Sequence, residues 1–151
     1  MKTHMALSLL RDCEYYEASL HAFVIMSHHI HFLVTPQPSE TISNLMRNVK
    51  RRSANLLSPC LNDFERSQLD AQCGLNQDEF WKEGFRGNPM LTSNVFQQKA
   101  NYIHQNPVRA GLTEQADLYP WNSAMMYVRG FAVEENLLDL PKCISFYEEL
   151  L

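Results

Sequence analysis

The 151-residue chain has no run of eighteen apolar residues, so it offers no candidate for a membrane-spanning helix. No secretion signal is expected either. The short apolar stretch near its start meets Arg11 and Asp12, and no small-residue cleavage site follows. The four cysteines, at 13, 60, 73 and 143, are never two or three residues apart, which leaves a zinc knuckle or a redox Cys-x-x-Cys unsupported. They are expected to be reduced, buried or half-buried thiols of a cytoplasmic protein. No internal repeat or low-complexity run is present. A basic excess is missing too: 13 Lys and Arg stand against 17 Asp and Glu, a net charge of −4, which counts against a generic nucleic-acid binder.

What remains is the composition of one folded domain, with 45% apolar and 20% charged residues. The charge is unevenly placed. Arg47, Lys50, Arg51 and Arg52 cluster with no acid between them, while Glu134, Glu135, Asp139, Glu148 and Glu149 load the C-terminal end. A local basic patch can bind phosphates whatever the total charge, although a solvated helix face explains it equally well.

The apolar pattern predicts a helix over 3–18 and a hairpin of two strands, 20–26 and 29–35, which Pro36 and Pro38 stop. A second helix over 40–57 would bury Ile42, Leu45, Met46, Val49 and Ala54 and expose the basic cluster. Residues 58–78 read as a loop or short helix, and 79–87 (EFWKEGFRG) as a third strand. Thr92 or Ser93 would cap a helix running to about Gln105, which Pro107 should end; a last helix is expected near 144–151. Helices beside a small antiparallel sheet make the class α+β.

His29 and His31 carry the clearest chemical signal. Two apart on a strand, they project from one face and can share a divalent ion. Strand histidines that merely hydrogen-bond give the same letters, and both readings stand. Leu33 occupies the third place of a His-x-His-x-His pattern, no cysteines join the pair, and no His-Glu-x-x-His helix is present. A site here therefore needs a ligand from elsewhere. Tyr102 and Asn106, four apart near a helix end, lie on one face; an amide oxygen from Asn106 could complete a His-His-Asn set beside the phenol. A free tyrosine, with a pKa of about 10, is a poor nucleophile at neutral pH until a cation draws charge from the phosphate it attacks. Taken singly, Tyr102 also reads as a core or interface aromatic, and Asn106 as a helix-terminating residue.

These residues in this order, LHAFVIMSHHIHFLVTP, then FWKEGFR, then YIHQNPVRAGL and YPWNSAMMY, resemble the single-tyrosine HUH transposases, in particular the REP-associated tyrosine transposase branch. The likeness spans about residues 5–129. It implies a transposase-like domain over 1–130 and an acidic, helical C-terminal tail over 131–151. The implied fold is a ferredoxin-like antiparallel sheet with helices packed on it. The chain opens within what corresponds to the family's first helix, so the first strand is expected to be missing. The resemblance further implies magnesium or manganese held by His29, His31 and Asn106, although imidazole donors alone would suggest zinc or another transition metal. Tyr102 would attack single-stranded or hairpin DNA and become linked to its 5′ phosphate.

Arg47, Lys50, Arg51, Arg52, Arg86 and Arg109 are candidates to grip the DNA backbone. Trp81 and Phe85 could stack on bases or pack in the core, and Lys99, one turn before Tyr102, is placed to favour the phenolate. His28 stands where the family usually has asparagine, and as the strand's next residue it should face away from His29. A homodimer is a possible assembly. The competing readings are an inactive truncated relative that still binds hairpin DNA, a metal-dependent phosphoesterase that uses water in place of Tyr102, and an interaction module without a nucleic-acid role.

Overall fold

A computed structural model describes residues 1–73, 79–89 and 92–128, the side chains of 69–73 excepted. The elements in chain order are α1 (Lys2–Tyr15), β1 (Ser19–Ile25), β2 (Ile30–Thr35), α2 (Ile42–Leu57), α3 (Asp63–Cys73), α4 (Ser93–Arg109) and α5 (Ala124–Val128). Short 3-10 turns occupy Ser58–Cys60 and Ala116–Leu118. The tail over 131–151 and its expected helix lie outside the described residues. None of the described helices is long and apolar enough to cross a membrane.

The hairpin organises everything else. β1 and β2 pair antiparallel from Ser19↔Thr35 to Ile25↔Ile30, with one extra residue in β1 between Leu20 and Ala22. That bulge at His21 reverses the alternation of side chains along β1. Leu20 therefore joins Phe23 and Ile25 on the face covered by α1 and α2, together with Leu9, Leu10, Leu45 and Val49. Ala22, Val24 and Met26 face the other way, where Ala100 and Ile103 of α4 and Tyr119 cover them. Both faces of β1 are thus covered, which explains why six of its seven residues are buried. Each fully buried side chain of the size of Phe23 or Leu45 contributes about 1.5–3 kcal/mol.

The free edge of β1 is closed by residues 121–123. Ile25 N–H donates to the Trp121 carbonyl (2.9 Å), Ser123 N–H donates to the Phe23 carbonyl (3.0 Å), and Val24 bridges Asn122. β2 has no strand partner on its far side among the described residues, and Ile30, His31, Phe32 and Val34 are only half-buried.

The α+β class holds, and α1, the hairpin and α2 fall where the sequence puts them. Thr41 caps α2, accepting from Asn44 N–H, and α2 buries Leu45, Val49, Ser53 and Leu57, whereas Ile42 is 38% exposed. Three expectations change. Residues 79–87 form no strand: they run irregularly, with Gly84 at φ +70°, and Lys50 Nζ donates to the carbonyls of Lys82 and Gly84. Trp81 Nε1–H donates to Ser53 Oγ (3.0 Å), and Phe80 and Trp81 pack against the core beside α2 instead of pairing in a sheet. Pro107 does not end α4, which runs on to Arg109 and closes at Gly111, where φ is +68°. Cys13 is a buried free thiol, as expected, but Cys60 is exposed.

Candidate functional site

His31 shares a β2 face with Leu33, the residue that packs against the α4 side of the sheet. That parity aims His31 at α4, while Ile30, Phe32 and Val34 pack toward α1 and α2. His29 lies just before β2, in the turn closed by Met26 N–H donating to the His29 carbonyl (2.9 Å). Its ring meets that of His31 edge-on at 4.8 Å between centroids, as expected for two histidines on one side of a strand. His28 departs from expectation. Its ring lies 4.6 Å from that of His29 rather than on the opposite face, because a turn at 27–28 breaks the strand alternation.

From α4, Tyr102 brings its ring to 5.9 Å from that of His31, also edge to face, and stays 42% exposed. Two cations flank it. The guanidinium of Arg109 lies 5.2 Å from the ring centroid and Lys99 Nζ lies 5.9 Å from it. Three, four and seven residues apart, Lys99, Tyr102, Asn106 and Arg109 share one side of the helix. Asn106 is half-buried, and its Nδ2 donates to the Tyr102 carbonyl at 2.7 Å. The sequence-predicted histidines, tyrosine and arginine therefore meet around one exposed phenol.

The electrostatics suit cation binding by neutral imidazoles. Partial burial, then the neighbouring His31 and His28, push the His29 pKa down to about 4, and burial lowers that of His31. Both rings are then unprotonated at neutral pH, the state in which imidazole nitrogen donates to a metal. Ring centroids 4.8 Å apart keep the two imidazoles near enough to share one ion. No group of three or more His, Cys, Asp or Glu side chains among the described residues is arranged to hold a metal. An amide oxygen could serve as a third donor, and Asn106 stands one turn from Tyr102 on α4.

The basic cluster divides. Arg47 and Arg51 are exposed, and the Arg51 guanidinium donates to Asn48 Oδ1 (3.3 Å). Lys50 is committed to the carbonyls of 82 and 84, and burial lowers its pKa against the pull of Glu83. Arg52 pairs with Asp12 and stacks on Tyr15, 5.0 Å from the ring centroid. Arg86 is exposed in the irregular stretch, Phe85 is 41% exposed, and Trp81 packs against the core.

The residues that fix α4 against the sheet escaped sequence reasoning. His104 is buried, its Nε2 2.9 Å from Ser123 Oγ, and burial lowers its pKa to about 4. Ser123 Oγ accepts from Phe23 N–H (2.9 Å), and Asn122 Nδ2 donates to the His104 carbonyl (2.9 Å). This chain of bonds ties α4 to β1 and so sets Tyr102 against His31. Only the segment YPWNSAMMY hinted at it, and the letters gave no partner for its serine.

The chain aligns over 89% of its length with a solved REP-associated tyrosine transposase bound to a REP hairpin, at a TM-score of 0.61 and 18% identity, covering 73% of that chain. That similarity shows a shared fold. No curated protein matches. The family model described as "Transposase IS200 like" matches residues 1–106, a span that holds the histidine pair, Tyr102 and Asn106. With most of the chain matched and these side chains gathered at one site, the protein belongs to the IS200-like transposase family.

Proposed function

We propose that this chain cuts and rejoins single-stranded DNA through a covalent link between Tyr102 and a 5′ phosphate. The observation that carries the reading is the 5.9 Å approach of the His31 and Tyr102 rings, brought together from β2 and α4. Tyr102 is exposed between two cations and an imidazole, a setting open to a DNA phosphate.

His29, His31 and the Oδ1 of Asn106 would hold a divalent cation, Mg²⁺ or Mn²⁺ in the family's pattern, which when bound withdraws charge from the scissile phosphate. Arg109 and Lys99 would orient that phosphate beside Tyr102 and offset its charge. The phenol oxygen forms a bond to phosphorus, the P–O3′ bond breaks, and the proton lost by the phenol is balanced by the one gained at the 3′ hydroxyl. The phosphotyrosine keeps the energy of the ester it replaced. A second 3′ hydroxyl can therefore reverse the step and join a new strand without external energy. Arg47 and Arg51 add sequence-blind backbone contacts. A hairpin is the substrate class to test first, since the structurally similar transposase binds one.

The test is a denaturing gel of the protein with a labelled hairpin oligonucleotide and Mn²⁺. An adduct that survives denaturation, and is missing with Tyr102→Phe and His29→Ala, supports the transferase. A folded chain that binds the hairpin in a salt-sensitive way yet forms no adduct is the inactive relative. Hydrolysis that persists in Tyr102→Phe is the water-using phosphoesterase.

A further inference from the structure

Pro107 lies inside α4, buried, with helix continuing for two residues beyond it. Proline has no N–H, so the Ile103 carbonyl four residues back loses its helical donor, and the pyrrolidine ring crowds that same carbonyl. The nitrogen that approaches the vacated oxygen comes from the preceding side chain. Asn106 Nδ2 lies 3.4 Å from the Ile103 carbonyl and 2.7 Å from the Tyr102 carbonyl.

An asparagine amide has a donor end and an acceptor end of nearly the same shape, and a free one presents either. Here chemistry removes the choice. Both backbone atoms beside the amide are carbonyl oxygens, so only the nitrogen can face them. The oxygen must turn away from the helix backbone, and Oδ1 accepts no hydrogen bond from any described residue. Asn106 shares its helix face with Tyr102, four residues earlier.

We propose that Pro107 is a positioning residue for the cation site: by freeing the Ile103 carbonyl as a second acceptor beside that of Tyr102, it fixes the Asn106 amide with its oxygen outward. The proposal rests on the reading of His29, His31 and Asn106 as a metal site. It adds that the helix-borne ligand is preorganised by its successor in the chain. A proline in the last turn of a helix otherwise only weakens it.

Mn²⁺ binding to the full chain without DNA, followed by the loss of the free-ion electron paramagnetic resonance signal, tests this apart from activity. His29→Ala and Asn106→Leu should each weaken binding about tenfold or more. Pro107→Ala restores the N–H, gives Ile103 its helical donor and leaves the amide only the Tyr102 carbonyl to hold it. It should weaken Mn²⁺ binding several-fold while helicity and Tm hold or rise, since alanine suits a helix better. Asn106→Asp presents oxygen from either end, so Pro107→Ala should have no effect on binding in that background.

Wild-type affinity in Pro107→Ala, with His29→Ala still impaired, overturns the proline lock and leaves the metal site standing. An equal loss from Pro107→Ala in both backgrounds also overturns it, because the proline then acts through helix shape. Undiminished binding in both His29→Ala and Asn106→Leu removes the metal site and the inference with it.

Discussion

Asp12 of α1 and Arg52 of α2 approach to 2.5 Å (Oδ1 to Nε), with the Asp12 side chain 2% exposed and that of Arg52 44% exposed. The second carboxylate oxygen of Asp12 is buried without a hydrogen-bond partner. Burial therefore outweighs the arginine, and the Asp12 pKa rises from 3.8 to about 6. Between those values the folded chain binds more protons at this site than the unfolded chain. Stability from this group is full below pH 3.8 and is lost as pH rises through 6. The difference amounts to about 3 kcal/mol at neutral pH. Asp12→Asn removes the buried charge at nearly constant shape. We expect its urea midpoint, relative to wild type, to rise between pH 4 and pH 7. A difference that stays constant over that range would show that Asp12 is ionised throughout.

The two cations beside Tyr102 predict a division of labour that binding and chemistry assays can separate. Tyr102→Phe should lose all covalent adduct while keeping hairpin affinity within about twofold, because the ring still supports Arg109. Arg109→Ala should slow adduct formation by about ten- to a hundredfold and lower the salt dependence of binding by about one phosphate contact. An unchanged salt slope in Arg109→Ala would move this arginine out of the DNA contact.

The site was legible in the sequence where periodicity determines geometry. A spacing of two on a strand put His29 and His31 together, and a spacing of four on a helix put Tyr102 beside Asn106. The meeting of the two pairs was not legible from spacing, since it depends on His104, Ser123 and Asn122 holding α4 to β1. Those bonds join residues far apart in sequence whose types are ordinary. Two local misreadings have the same origin. The apolar residues of 79–87 look like a strand, but Lys50 and Ser53 of α2 supply partners that replace a ladder. Pro107 looks like a terminator, but Asn106 supplies a donor beside the gap it leaves.

The capping of α4 offers a test of how local its stability is. Thr92 takes an extended conformation and its hydroxyl accepts from Val95 N–H at 3.3 Å. Thr92→Ala should cost about 1 kcal/mol in global unfolding. Tyr102 lies more than two turns further along and is held through His104, so the rate of adduct formation should be unaffected. A matching loss of rate would mean that fraying of the first turn reaches the site.

The divided basic cluster gives the sharpest contrast, because four neighbouring cations are assigned two different tasks. Arg47 and Arg51 are exposed, and among the described residues Arg51 makes only a long contact to Asn48. Lys50 instead pins the 79–89 stretch to α2, and Arg52 joins α2 to α1. Arg47→Ala and Arg51→Ala should therefore each reduce the slope of log K against log salt by about 0.7–1, with Tm unchanged. Lys50→Met should increase hydrogen exchange at 79–89, because the carbonyls of Lys82 and Gly84 lose their donor. Arg52→Met should lower Tm, since the buried Asp12 carboxylate loses its partner. Its effect on the salt slope should be the smallest of the four, because its guanidinium is already neutralised by Asp12. Equal slopes from all four substitutions would mean that the cluster acts on DNA as one surface and that the internal pairings open to meet it.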